Sequence, residues 1–428
     1  ALAAFALFMK ARAKDRRWFS RPAQPQICVL ENVTFTDQEL DEYLKAVDGG
    51  QFGMGSDLFT NNLRETLRQF EQAENFGSLI RPVLGDAAFV RGMLESKQPG
   101  LFLHHVHEKA LKVLRFAEFL SPRYHVVVAN PPYMGKGMNS RLRNFASDLY
   151  PNSKLDMFAM FTERNLDLVI KGGFIGLMTP FTWMFLSSYE NLRLRILHEN
   201  VLTSLVRPEY HAFFDSAFVP ICAFTLFTLP NPDFKGAFID LSRFYGANLQ
   251  SSKVLEAIQN PNCGWFYRAS TNDFENIPGL PIAYWVSTKV SSIFSHSKPF
   301  SDFSMAKQGL ATGDNLIFLR FWYEISINKI NFNCGSNQDA INSQAIWVPY
   351  SKGGGFRKWY GYNEYVVYWE NGGEKIRNHK DDNGKELSRF RAAEYYFKEA
   401  ITWGLITSGK FSARYREKGY VFDIAGMS

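Results

Sequence analysis

Asn130-Pro131-Pro132-Tyr133 stands directly behind the apolar run Val126-Val127-Val128-Ala129. Proline fixes φ and pushes the residue before it into extended backbone, so two in succession hold Asn130 and the Pro131 carbonyl in one arrangement. Neither proline has an N–H, so the turn presents acceptors. An aromatic amine is a poor nucleophile because its lone pair is delocalised into the ring. Two acceptors, the Asn130 side-chain oxygen and the Pro131 carbonyl, can take both hydrogens of such an amine. They favour a more tetrahedral nitrogen and so stabilise the transition state more than the ground state. No strong base is required, because the proton becomes acidic once the nitrogen is alkylated. Tyr133 adds a flat ring to stack on the base that carries the amine. Adenine, with its exocyclic amine, fits, and it must leave a duplex to be reached. An ordinary Pro-rich turn needs neither Asn first nor Tyr last.

A second aromatic, Phe214, lies just ahead of the expected strand Ile221–Leu226, where it can clamp the other face of an extruded base. The alternative is that Phe213, Phe214 and Phe218 are all core. Farther on, cations interleave with aromatics: Lys352, Arg357, Lys358, Trp359 and Tyr360, then Lys410, Arg414, Tyr415 and Arg416. Phosphate contacts need Lys and Arg, and base edges are read by Arg, Asn, Gln or Lys. Lys352, Arg357, Lys358, Trp359, Lys410, Arg414 and Arg416 are therefore the candidate DNA contacts. Ser351–Trp359, with three glycines at 353–355, reads as a flexible loop able to enter a groove. Thr312-Gly313-Asp314-Asn315 reads as a structural turn. His104, His105, His107 and Glu108 do not make a metal site, because only His104 and Glu108 share a helix face. Arg12–Arg17 reads as a solvated helix end.

The elements that must position the turn alternate. Helices are expected over 1–14, 38–47, 61–74, 101–119, 154–170 and 187–198. Ile27-Cys28-Val29-Leu30, residues 125–129 and Phe174–Met178 suit buried strands. The β-rich runs Leu202–Val206 and Ile221–Thr228 read as an antiparallel hairpin at the edge. Continuously apolar strands between helices indicate an α/β sheet covered on both faces. In such sheets ligands sit beyond the carboxyl ends of strands, where 130–133 falls. After Pro230-Asn231-Pro232 the pattern changes. Residues 1–232 are expected to form one domain, 233–298 a connector, and 299–428 a second, β-rich domain with no obvious finishing element.

At 428 residues and 46% hydrophobic content the chain can bury more than one core, and its charge of +6 permits a polyanionic partner. Cys28, Cys222, Cys263 and Cys334 never fall in Cys-x-x-Cys spacing, which fits a reducing cytoplasm better than zinc or disulfides. No apolar run reaches the ~20 residues that span a bilayer. Ala1–Met9 lacks a basic lead and a cleavage site, so it reads as a core-facing helix rather than a signal peptide. There is no initiator Met, and both ends are expected to be cut.

Here a resemblance becomes specific. Asn130–Tyr133 resembles the fourth motif of amino-methyltransferases acting on adenine N6, and the Phe214 region their eighth. The wider wording is Val127–Gly135, Lys154-Leu155-Asp156-Met157-Phe158, Thr179-Pro180-Phe181-Thr182-Trp183-Met184 and Gly309–Asn315. Together these resemble the large adenine-specific DNA methyltransferase of bacterial BREX phage-defence systems. The resemblance implies a partial Rossmann-like class I methyltransferase sheet, a connector and a β-rich target recognition domain. It also implies S-adenosyl-L-methionine as donor, duplex DNA as substrate and other BREX proteins as possible partners.

The donor's Gly-rich turn and acidic residue are not found. Phe52-Gly53-Met54-Gly55-Ser56 follows a charged helix, not a strand, and Gly353-Gly354-Gly355 has no strand before it either. By resemblance, these parts preceded Ala1, helix 1–14 follows the second strand, and Phe76-Gly77-Ser78-Leu79, together with Asn130, forms the far wall of the donor pocket. Residues 1–428 alone are then expected to bind the donor poorly and to be inactive. Two alternatives remain open: a type IIG restriction–modification methyltransferase, and a DNA-binding or phage-sensing scaffold without turnover.

Overall fold

The computed structural model describes residues 2–20, 24–48, 56–97, 100–121, 124–213, 218, 220–343, 345–405, 410–424 and 426–427. They form two compact units, Ala1–His296 and Ser297–Ser428. Among the described residues, no helix is long and apolar enough to cross a membrane.

The first unit opens with α1 (Leu2–Lys14), α2 (Asp37–Asp48), α3 (Ser56–Gln69), α4 (Ala73–Phe76), α5 (Ala87–Glu95) and α6 (His104–Leu120). The start of α2 is written locally. Thr36 Oγ1 accepts from the Glu39 N–H, and the Glu39 carboxylate accepts from the Thr36 N–H, a reciprocal pair that satisfies two otherwise orphaned donors. Val106, Ala110, Val113, Leu114 and Ala117 recur at three- and four-residue steps along α6 and face Leu40, Leu44, Leu63, Leu67 and Val90 in a helical core. Two expectations fail here. Ile27–Leu30 is not a strand: Cys28 and Leu30 lean on the helical core while Val29 is 67% exposed. No strand lies beside that segment, and a strand without a ladder partner has nowhere to spend its backbone hydrogen bonds. Nor does α1 face a core. Leu2, Phe5, Leu7 and Met9 are exposed, since its apolar residues run on without gathering on one side.

Next come β1 (Tyr124–Ala129), α7 (Ser140–Leu149), α8 (Met157–Leu168), β2 (Val169–Pro180), α9 (Glu190–Glu199), β3 (Val201–Arg207), β4 (Ile221–Phe227), β5 (Gly236–Asp240), α10 (Ala247–Gln259), β6 (Phe266–Ala269), α11 (Thr271–Glu275) and α12 (Thr288–His296). The six strands form one mixed sheet in the order β1-β2-β4-β3-β5-β6. β1 runs parallel to β2, with Val127 opposite Ile175 and Ala129 opposite Leu177. β4 is antiparallel to both β2 and β3, and β3 is parallel to β5. The carboxyl ends of β1, β2, β3 and β5 therefore share one edge.

β3 and β4 pair antiparallel, as their sequence suggests, but not at an edge: β4 lies between β2 and β3, and β3 also carries β5. Residues 233–298 are not a connector, because they supply β5 and β6 to this sheet. Strands of five and four residues, the first opening on Gly236, show too little alternation to be seen in sequence. The expectation of two covered faces is also corrected. One face packs under α8, α9 and α11 through Phe158, Ile196, Phe224 and Phe274. The other is covered by α10 only near β5 and β6. On β1 and β2 it leaves Val126, Val128 and Phe174 exposed at 59%, 76% and 49%.

The second unit contains α13 (Asn315–Phe318), β7 (Leu319–Phe321), α14 (Asn337–Asn342), β8 (Trp347–Ser351), β9 (Tyr365–Tyr368), α15 (Glu374–Arg377), β10 (Ala400–Gly404), β11 (Ala413–Arg416), β12 (Val421–Phe422) and β13 (Gly426–Met427). Its sheets are ordered β12-β8-β9-β7 and β11-β10-β13. Val348, Tyr350, Val367, Trp369 and Phe422 fill the core. β12 pairs parallel with β8. Thr312–Asn315 is a structural turn, with Gly313 at φ +82 and the Asp314 carboxylate capping α13 through the Leu316 and Ile317 N–H groups. Gly353–Gly355 follows a strand after all, β8, yet it opens a hairpin loop to β9 instead of a helix, so no helix N-terminus waits there for a phosphate.

Candidate active site

β1 delivers Asn130 to the shared carboxyl edge. Pro131 is buried while Asn130, Pro132 and Tyr133 are exposed, so one proline anchors the turn and the residues on either side of the pair face outward. The Tyr133 hydroxyl lies 3.0 Å from Asn130 Oδ1 and 3.2 Å from the Met178 carbonyl on β2. A phenol has a single proton, so these acceptors share it. Either way the ring is strung between the turn and the neighbouring strand, and Asn130 Oδ1 is the oxygen that faces it. That oxygen keeps a lone pair for a second donor. Burial raises the Tyr133 phenol above its ordinary value, with the neighbouring Cys222 adding to the effect, so at neutral pH it remains a donor.

The next turn is tied down by a residue that chemistry alone did not single out. Asp156 caps α8: its Oδ1 accepts from the Phe158 N–H at 3.3 Å and from the Met134 N–H at 3.0 Å. The Met157 N–H returns a bond to the Met134 carbonyl at 3.4 Å. Gly135 completes the fit, since a Cβ there would stand 2.8 Å from the Leu155 carbonyl and 3.0 Å from Asp156 Oδ2. One carboxylate therefore fixes both the start of a helix and the exit of the Asn130–Tyr133 turn. Burial pushes its pKa up, against the pull of its backbone N–H donors. The sequence signal was present in Lys154–Phe158, an Asp ahead of an apolar helical run, but it names a cap without saying what else the cap holds.

Phe214 lies outside the described residues. Its neighbours Phe213 and Phe218 are not core; they are 51% and 63% exposed. Phe218 packs on Tyr210 with ring centroids 4.3 Å apart. Tyr210 accepts from Arg207 at 2.8 Å, and the Arg207 guanidinium sits 4.5 Å over the Phe181 ring. This aromatic group stands where β2 and β3 end, and spacing gave no sign of it, because its members come from three separate segments.

Phe76–Leu79 forms a packed wall. Leu79 is fully buried among Met138, Leu142 and Tyr150, and its carbonyl accepts from the Tyr150 hydroxyl at 2.6 Å. Phe76 stacks on Phe145 at 4.1 Å. The Ser78 carbonyl accepts from Arg164 at 3.0 Å. Gly77 turns the chain at φ +56, with open space where a Cβ would stand. The other donor candidate, Phe52–Ser56, lies almost wholly outside the described residues. His107 is buried and bonds Tyr43 at 2.8 Å, while His104 and His105 are exposed.

In the second unit the candidate DNA contacts divide. Arg357, Lys358, Trp359 and Lys410 are exposed, and Lys352 is half-buried with its ammonium 4.8 Å over the Tyr365 ring. Arg414 and Arg416 are only 1% and 2% exposed, so neither stands out from the surface as the other candidates do. Both lie on β11, whose alternate residues turn inward. Arg416 rests 4.5 Å over Phe422, and burial lowers its pKa to about 10. Arg414 rests 4.8 Å over Tyr362.

Comparison with known proteins agrees with this picture. Residues 3–214 match the Eco57I restriction-modification methylase family. The chain is 35% identical over 440 residues to the adenine-specific methyltransferase PglX of Lacticaseibacillus casei (strain Zhang), covering 99% of this chain and 35% of that protein. It is 33% identical over 450 residues to the adenine-specific methyltransferase BrxX of Escherichia coli O9:H4 (strain HS), covering 100% of this chain and 35% of that protein. A solved structure of a nuclease-deletion mutant of the Type ISP restriction-modification enzyme LlaGI, in complex with a DNA substrate mimic, aligns at a TM-score of 0.43 and 12% identity, covering 97% of this chain and 49% of that one. The chain spans about a third of the length of the curated relatives it matches. Both relatives align along essentially all of this chain, so it is similar throughout its length to the adenine-specific methyltransferases PglX and BrxX.

Proposed function

We propose that the chain carries the catalytic turn and the DNA-reading unit of a site-specific methyltransferase that modifies adenine N6 in duplex DNA, marking host DNA in BREX-type phage defence. The supporting observation is the Asn130–Tyr133 geometry: an amide oxygen presented at the shared carboxyl edge of the parallel strands, oriented by a tyrosine hydroxyl that is itself tied to β2. In this reading the sheet is the later half of a Rossmann-like class I methyltransferase sheet, and residues 297–428 face the DNA.

The extruded adenine stacks on Tyr133. Asn130 Oδ1 and the Pro131 carbonyl accept its two amine hydrogens, drawing the nitrogen lone pair out of the ring. Pro131 and Asp156 keep the turn from relaxing, so little reorganisation is needed as charge develops on nitrogen. S-adenosyl-L-methionine would supply the electrophilic methyl group. Equilibrium dialysis of residues 1–428 is expected to detect no tight donor binding.

The decisive experiment is Asn130→Ala in the complete gene product, read as methyl incorporation into duplex DNA. Losing a preorganised polar group of this kind costs on the order of 100-fold or more in kcat, with DNA affinity retained. A variant that methylates at the wild-type rate would overturn the assignment.

A further inference from the structure

The loop between β8 and β9, residues 352–364, is neither loose nor flat. It is built around Tyr362. The Gly354 backbone lies so close to that ring that a Cβ would stand 2.8–2.9 Å from three of its atoms. The Arg357 and Arg414 guanidiniums lie 4.7 and 4.8 Å from the ring centroid. Trp359, Gly361 and Tyr362 all take positive φ, at +85, +122 and +63, which a bulky side chain adopts only where its surroundings impose it. Here the imposing bond is visible: the Trp359 carbonyl accepts from the Tyr415 N–H on β11 at 2.7 Å. The strain therefore holds one side chain outward. Trp359 is 72% exposed, flanked by exposed Phe356 and Tyr360, with the Lys358 ammonium 5.5 Å over the indole.

Beneath this tip is an electrostatic anomaly. Among the described residues, Nε, Nη1 and Nη2 of Arg414 have no hydrogen-bond partner, although the residue is 1% exposed. Thr402, directly across the β10–β11 ladder and so on the same face, has a buried hydroxyl that is also unpartnered. The nearest cation acting on Arg414 is Arg357, which repels it. Arg357 itself is half-exposed and spends part of its charge on Glu364 at 3.3 Å. An unpaired buried guanidinium beside a hydroxyl, under a cationic mouth, is a poor structural element and a good anion receptor.

We propose that the 352–364 loop is the duplex-contacting wedge of the second unit: Trp359 stacks on a base or base step, and Arg357 with Arg414 and Thr402 takes a backbone phosphate at that step. This rests on the reading of residues 297–428 as DNA-facing and adds to it which element enters the duplex and what it does there. The occupant is a nucleic-acid duplex because only a polymer with stacked aromatic faces and a phosphate at each step matches an exposed indole beside a buried, unanswered cation. A small free anion would answer the cation alone.

The test compares residues 1–428 as wild type, Trp359→Ala and Arg414→Met, using fluorescence anisotropy with a labelled duplex across a salt series and thermal melts with and without inorganic phosphate. Trp359→Ala should weaken duplex binding by about 5- to 150-fold without altering the salt slope. Arg414→Met should lower the magnitude of that slope by about 0.9, the signature of one lost phosphate. It should also melt higher than wild type, because an unpaired buried charge has been removed. Methyl incorporation by the complete gene product carrying Asn130→Ala reports on the catalytic assignment alone, so failure of the wedge is distinguishable from failure of that reading. Wild-type affinity in Trp359→Ala overturns the stacking role. An Arg414→Met chain that keeps the wild-type slope overturns the phosphate role, and if inorganic phosphate then still raises the melting midpoint only when Arg414 is present, the receptor serves a free anion and the proposal falls. A wild-type chain that binds no duplex refutes the loop's role and the DNA-facing reading together.

Discussion

Tyr133 combines two functions that substitution can separate. In the proposed function its ring is the stacking surface, and its hydroxyl lies 3.0 Å from the Asn130 amide oxygen while reaching Met178 on β2. Tyr133→Phe keeps the ring and loses the tether. A neutral hydrogen bond is worth about 1 kcal/mol net, so methyl transfer by the complete gene product should fall several-fold to about tenfold in kcat, with little change in KM for DNA. Tyr133→Ala should lose far more, and equal losses in the two would show that the hydroxyl, not the ring, carries the function. At this scale the sequence was informative where chemistry is local. Asn, two prolines and Tyr in consecutive positions specify their own geometry, and the fold had only to aim them. It was uninformative for Arg414 and Arg416, because a cation in a strand reads the same whether its face is wet or buried, and that depends on strands far along the chain.

Elements carry the next level of constraint, and α8 shows it best. Its cap, Asp156, holds Met134 as well as the helix start. Asp156→Ala should cost about 1 kcal/mol of stability, the usual loss of a cap, and should also lower kcat, because the turn is released. Asp156→Asn keeps the acceptor oxygen and should retain most activity. Burial raises the carboxyl's pKa in the folded chain. Folding then favours the neutral form, so ionisation costs stability as pH rises through the folded value, and the cost vanishes below the unfolded one. Asp156→Asn should therefore be at least as stable as wild type at neutral pH, with any advantage shrinking as pH falls through the carboxylate range; urea midpoints measured across pH will show this. Helices α2, α3, α6, α8 and α9 and the strands β1 to β4 were legible because their apolar spacing repeats over enough residues, whereas α5, α7 and α10 went unread. β5 and β6 were too short to show a period. Residues 27–30 have a strand's composition without a partner to pair with, which composition cannot report.

For the molecule as a whole, each unit has its own cores. Calorimetry of residues 1–428 should accordingly depart from a single two-state transition, whereas one sharp transition with matching calorimetric and van't Hoff enthalpies would show that the units melt as one. The uncovered side of the sheet has a practical consequence. Val126, Val128 and Phe174 present oily surface on and beside β1, which is an outermost strand among the described residues, the combination that invites chains to stick together. Preparations should scatter more light as they are concentrated, and Val128→Lys should keep them clear. Whoever purifies these 428 residues will meet that valine in the centrifuge tube before meeting the asparagine in an assay.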